Sequence, residues 1–171
     1  MGAFKRWLFI VIVVVVVITC VLVAGLLFRT YNNENSLINN QAEILRVIDG
    51  DTIVVKQGGV YIIRLAGIDC PEKGQPGFLE AKNFIKSKKV VYTEKPLAET
   101  RRGRYNRVIS FLRSNPWRNA REINRDMVAL GFCWSYGKTF TREESLAKKL
   151  ELGVHADRGA IHPKNWRKGA R

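Results

Sequence analysis

The chain has 171 residues, room for one compact domain and an appendage, and its 29 Lys and Arg against 15 Asp and Glu give a formal net charge of +14. That surplus points to polyanionic partners: nucleic acid, anionic lipid or wall polymer. Three cysteines with no Cys-x-x-Cys pair, and two histidines near the C-terminus (His155 and His162), exclude a zinc constellation by spacing.

Residues 7–28 form an uncharged run broken only by Thr19, Cys20 and Gly25. As a helix it rises about 33 Å, enough to cross a bilayer core of about 30 Å. On the alternative reading it is a cleaved signal peptide, with Lys5 and Arg6 as the basic flank and Val23 and Gly25 at the cleavage site. The length of the run and the lack of a polar segment before Phe28 favour a retained anchor. Lys5 and Arg6 lie on one side and only Arg29 on the other, so the positive-inside rule puts the N-terminus in the cytoplasm and the domain outside. Cleavage would make the protein secreted. The expected divisions are a basic flank at 1–6, a transmembrane helix or uncleaved signal anchor at 7–28, an asparagine-rich polar stalk at 29–41 and a domain at 42–171. Residues 1–40 hold only Lys5, Arg6, Arg29 and Glu34, a net +2, which leaves +12 on the domain.

Within the domain, residues 44–48 read as a first strand ended by the turn Asp49-Gly50-Asp51. Residues 52–56 and 60–65 follow as a hairpin about Gln57-Gly58-Gly59. After a Pro- and Gly-marked loop, Phe78, Ala81, Phe84 and Ile85 recur at helical spacing, predicting a helix over 77–88. Strands are expected at 90–93 and 108–112. Further helices are expected at 124–130, stopped by Gly131, and at 141–151, acidic at its start and basic near its end. This order argues against a doubly wound parallel sheet. The expected fold is α+β, mainly β: a partly open five-stranded Greek-key OB-fold barrel with three helices, preceded by a single transmembrane helix.

Asp51 follows the turn after one strand and Asp69 follows the end of another. If those strands are neighbours, the two carboxylates converge at one end of the sheet, where hard oxygen ligands suit Ca²⁺. Taken alone, Asp49-Gly50-Asp51 is more simply a turn. The run from Arg64 through Asp69 to Glu72 is sharper. Phosphodiester hydrolysis needs a cation for the charge developing on phosphate, a metal to orient it and a carboxylate to prepare the attacking water. The planar fork of arginine suits two phosphate oxygens. A surface ion pair between Arg64 and Glu72 is the plain alternative. The basic cluster Arg101-Arg102-Gly103-Arg104-Tyr105-Asn106-Arg107 runs into the strand at 108–112. Most of it reads as a solvated loop, with Arg107 best placed to aim back at the carboxylates and Tyr105 able to stack on a base or bond a phosphate. Glu80-Ala81-Lys82 after Asp69 superficially fits an acid–acid–lysine metal nuclease, but it falls in a helix and not on a strand.

The runs Val47-Ile48-Asp49-Gly50-Asp51-Thr52, Arg64-Leu65 through Asp69-Cys70-Pro71-Glu72, and Arg104-Tyr105-Asn106-Arg107 resemble the thermonuclease, or staphylococcal-nuclease-like, family. The likeness continues through 124–134 to Pro163-Lys164-Asn165-Trp166-Arg167 and covers about residues 43–167. It implies Ca²⁺ held by Asp51, Asp69 and the backbone carbonyl of Cys70, with Glu72 as general base. It also implies that Arg64 and Arg107 clamp the scissile phosphate, and that Arg104 and Tyr105 meet a terminal phosphate of the bound nucleotide. The family cuts DNA and RNA, preferring single strands, to 3′-phosphate ends. This sequence departs from the pattern in Asn106, where glycine is usual, in a shorter loop after Glu72, and in His155, where relatives often have tryptophan. Asparagine tolerates a left-handed backbone, so the turn survives the first departure. The resemblance also brings the segment after the second helix near Cys70. Cys70 and Cys133 are then either a disulfide of an extracytoplasmic domain or two buried thiols. The chain thus reads as a membrane-tethered, Ca²⁺-dependent nuclease acting as a monomer on DNA and/or RNA. A non-catalytic binding module of the same fold usually lacks the arginines or acids, and an electrostatic adaptor for lipid or wall polymer leaves the acids unexplained.

Overall fold

The structure is a computed structural model and describes residues 2–38, 40–116, 120–157 and 159–170. Met1 of the expected basic flank and Asn39 of the expected stalk lie outside the described residues. The chain divides into two compact units, Met1–Ser36 and Leu37–Arg171.

The first unit is a helix, α1 (Ala3–Ile38). Its part Arg6–Arg29, 24 residues, is long and apolar enough to cross a membrane. Phe9, Val16 and Leu26 are exposed along it, and a helix that is apolar all round suits lipid on every side. The polar stretch from residue 29 stays helical as far as Ile38, with no proline or glycine to stop it.

The second unit is mixed α+β and mainly sheet. Its strands are β1 (Gln41–Val47), β2 (Thr52–Lys56), β3 (Val60–Leu65), β4 (Ile68–Asp69), β5 (Val90–Thr93), β6 (Val108–Ser110), β7 (Leu112–Arg113) and β8 (Trp134–Ser135). Six of them form one sheet in the order β6-β3-β2-β1-β5-β7, and β4 pairs with β8 in a ladder of its own. The helices are α2 (Phe78–Lys86), α3 (Ile123–Ala129), α4 (Thr141–Lys149) and a short α5 (Pro163–Trp166).

The expected count of five strands is therefore corrected. The strand expected at 108–112 breaks at Phe111, and its halves join opposite margins of the sheet. β6 runs parallel to β3, pairing Arg64 with Ile109, while β7 runs antiparallel to β5. The break is set by Asn124 of α3, which is fully buried. Its Oδ1 accepts from the Leu112 N–H at 3.0 Å, and its Nδ2 donates to the carbonyls of Ala66 at 2.8 Å and Ser110 at 3.3 Å. Margins only one residue apart in the chain require a curled sheet, and an irregularity between Ile44 and Arg46 of β1 adds to the bend. Three helices were expected and all three occur; α5 is additional.

Alternation on the strands aims Ile53, Val55, Ile63 and Leu65 into the core, where Ala81 and Ile85 of α2 and Ile123, Met127 and Val128 of α3 cover them. Two glycines are fixed by close approach. A Cβ on Gly131 would meet the Leu152 carbonyl oxygen at 2.2 Å, and one on Gly153 would meet that of Gly131 at 2.2 Å. The chain crosses itself there through the Val154 N–H donating to the Gly131 carbonyl at 2.8 Å.

Candidate active site

The turn between β1 and β2 is built by Asp49, whose carboxylate accepts from the Asp51 N–H at 3.0 Å. Gly50 lets the turn lie against α2 and Cys70, since a Cβ there would sit 2.8 Å from that of Ala81 and 2.9 Å from that of Cys70. Asp51 emerges only 7% exposed. Its Oδ2 accepts from the Cys70 N–H at 2.9 Å and pairs with Arg64 Nη1 at 3.0 Å. Burial pushes the Asp51 carboxyl up to about 7, against the pull of Arg64, with Asp49 and Asp69 adding to the rise.

Arg64 sits on β3 between the inward Ile63 and Leu65 and so faces the other way, toward the acids. Its Nη2 donates to the Ile68 carbonyl at 2.9 Å and lies 3.4 Å from Asp69 Oδ1. Asp69, at the end of β4, is 2% exposed. The disulfide between Cys70 and Cys133 fixes the residue that follows. Of the two readings left open for these cysteines, the structure has the disulfide. The sulfur of Cys70 is thereby committed, which leaves its carbonyl as the only part able to face a cation. Glu72 lies beyond, its N–H donating to the buried Gln75 side chain at 3.0 Å.

The basic loop before β6, the strand paired with β3, supplies more of the lining. Tyr105 and Asn106 both adopt a positive φ of 58°. Asn106 takes the left-handed conformation that glycine would usually supply, and its Oδ1 accepts from Arg102 Nη1 at 2.8 Å. The turn leaves Tyr105 82% exposed, with the Arg107 guanidinium over its ring at 5.4 Å. Arg104, Tyr105 and Arg107 line the same cleft of about 730 Å³ as Asp51, Arg64, Asp69 and Glu72. Of the residues singled out in the sequence, seven side chains thus share one cleft, and Cys70 stands behind its floor. Arg107 touches none of the acids; its Nε donates to the Arg104 carbonyl at 3.4 Å.

One charged side chain of the cleft was not singled out in the sequence. Arg167, just after α5, donates from Nη2 to Asp69 Oδ2 at 2.9 Å, and from Nη1 to Asp69 Oδ1 at 3.1 Å and Glu72 Oε1 at 2.5 Å. The bond to Asp69, with help from Glu72, pushes its proton affinity further up. It belongs to the closing run 163–167 noted for its resemblance, but a partner 98 positions away leaves no local signal.

Among the described residues, no three His, Cys, Asp or Glu side chains gather in a metal-holding cluster. A cation in the cleft would rest on two buried carboxylates, with backbone and water oxygens completing its shell. Asp51 and Asp69 offer hard oxygens alone, which fit Ca²⁺ better than a softer metal.

The staphylococcal nuclease homologue model matches residues 62–157. The chain is also similar to an "Uncharacterized endonuclease" of Haemophilus influenzae, 28% identical over 156 residues, covering 86% of this chain and 84% of the relative. It is 32% identical over 145 residues to a "Micrococcal nuclease" of Shigella flexneri, covering 77% and 82%. It is 30% identical over 143 residues to "Protein ParB" of Escherichia coli, covering 75% and 79%. With more than half its length inside the family model and a cleft of acids and arginines to match, the chain belongs to the staphylococcal nuclease homologue family and is a nuclease, a phosphodiester hydrolase.

Proposed function

We propose that the chain is a Ca²⁺-dependent enzyme that hydrolyses DNA and/or RNA, with single strands preferred and 3′-phosphate products, and that it acts as a monomer tethered by α1 at the outer face of a membrane. The observation that carries the reading is the meeting of Asp51, Asp69, Glu72, Arg64 and Arg107 in one cleft.

Of Asp51, Asp69 and Glu72, Glu72 has the most access to solvent, at 36% of its side chain, so it is the one to orient or deprotonate water. Arg64 and Arg107 come from neighbouring segments, β3 and the loop before β6, so a phosphate in the cleft meets two guanidinium forks as its charge grows. Arg104 and the exposed ring of Tyr105 receive a neighbouring phosphate or base. Bound by Asp51, Asp69 and the carbonyl of Cys70, Ca²⁺ would supply further positive charge to the phosphate oxygens. We read the curled sheet as a partly open Greek-key barrel, a shape suited to extended polyanions. A disulfide favours an oxidising compartment, in accord with a domain outside the membrane, or secreted if α1 is cleaved.

The test gives the full-length protein in neutral detergent single-stranded DNA and RNA, with Ca²⁺ and with chelator, beside Glu72→Gln. We expect cleavage only with Ca²⁺, and turnover lower by about 10³ in the variant. Binding without cleavage under any metal would make the chain a tethered nucleic-acid-binding module.

A further inference from the structure

We propose that Arg167 is a built-in competitor for the cation at Asp69, and that the segment carrying it, 161–167, leaves the cleft when Ca²⁺ binds. The inference rests on the cation of the proposed function. Arg167 takes both oxygens of Asp69 in one fork, at 2.9 and 3.1 Å, and reaches Glu72 at 2.5 Å. Arg64 Nη2 lies 3.4 Å from the same Asp69 Oδ1. An ionised carboxylate offers about four lone-pair sites, and a two-point guanidinium contact uses the two best aligned. With Arg167 on two of those sites and Arg64 near a third, a cation on Asp69 competes with guanidinium groups for its oxygens. Two positive charges within a few ångströms of each other, close to a buried acid, also repel strongly.

The segment is held in a way that lets it go. The side chain of Gln75 bridges the Glu72 N–H and the Ile161 carbonyl, which pins the segment at its root. Beyond that point α5 has only four residues and buries only Pro163. His162 caps it by accepting from the Lys164 N–H at 3.1 Å and sits 3.9 Å from Asp69 Oδ2, beyond a hydrogen bond. The Arg167 side chain is 46% exposed. Its ion pairs with Asp69 and Glu72 hold the outer end on the cleft, while the His162 ring packs against Trp134 nearer the root.

The experiment titrates Ca²⁺ calorimetrically into the full-length protein in neutral detergent, without substrate. Arg167→Ala should bind Ca²⁺ about tenfold more tightly than the wild type, the effect of removing one nearby charge and its hydrogen bonds. Lys164→Ala removes a charge from the same segment and should change affinity by less than about twofold. In the wild type, Ca²⁺ should speed amide exchange at 164–169, a readout that needs no variant to fold. Unchanged or weaker binding by Arg167→Ala, equal tightening by Lys164→Ala, or exchange unmoved by Ca²⁺ would each overturn the competitor role alone. A wild type that binds no Ca²⁺ would overturn it together with the cation of the proposed function.

Discussion

At the scale of single residues, proximity in the cleft does not mean interchangeable roles. Arg64 is fastened to two carboxylates and two carbonyls, whereas Arg107 is tied only to its own loop. Arg107→Ala should therefore lower kcat by about a hundredfold or more while leaving the thermal midpoint where it was. Arg64→Ala should cost stability as well, because it leaves buried Asp51 without a counter-charge and strips Asp69 of one of its two guanidinium partners; denaturation of the two variants side by side checks the contrast. His155 is a second residue with a signed consequence. It is 8% exposed, packs edge-on against Trp134, and its Nε2 finds no hydrogen-bond partner among the described residues. Burial holds its proton affinity below the ordinary 6.5, against Glu144. The folded state then binds fewer protons than the unfolded one, so this contribution is whole above pH 6.5 and is lost as pH falls toward the folded value. Asp51, raised to about 7, acts in the opposite sense between its ordinary 3.8 and that value. Thermal midpoints of His155→Phe and wild type, measured from pH 7 to 5, should differ in slope, with the variant losing less on acidification.

Among the elements, what was legible depended on whether the signal was local. β2, β3 and β5 begin and end where the sequence marks them, because turn residues such as Gln57-Gly58-Gly59 punctuate alternating apolar runs. α2 starts at Phe78 behind Gly77, whose φ of 85° closes the preceding loop. β4 and β8 are two residues each and exist only through their mutual pairing, so no window along the chain reveals them. The break at Phe111 was hidden for a like reason: its cause, Asn124, lies on a different element. The cleft's acids and the Arg104–Arg107 loop were readable as motifs, but Arg167 was not. The disulfide also works at this scale, joining the segment between Asp69 and Glu72 to the turn after α3. It closes a loop of 63 residues, for which chain-entropy reasoning gives about 4 kcal/mol. Cys70→Ala with Cys133→Ala should lower the unfolding free energy by about that much, as read from denaturant midpoints. A change under about 1 kcal/mol would mean that the unfolded chain gains little from the broken link.

For the whole molecule, the charge distribution decides how substrate arrives. The domain holds most of the +14, and the loop Arg101–Arg107 presents Arg104 and Arg107 to the cleft. If Arg101, Arg102, Arg104 and Arg107 each neutralise one phosphate of a single strand, log affinity should fall against log salt with a slope of about −3. A catalytically silent Glu72→Gln protein titrated with oligonucleotide at several salt concentrations measures that slope, and Arg104→Ala should make it shallower by about 0.7.

The curl of the sheet bears on how this enzyme comes apart. One short stretch, 108–113, is stitched to β3 on one side and to β5 on the other. The two margins are thus tied to each other through one residue, which favours opening of the sheet as one cooperative unit. Arg64 and Arg107 are set in and beside strands of that unit. Opening as one unit leaves no half-built cleft and offers little naked strand edge to a neighbouring copy.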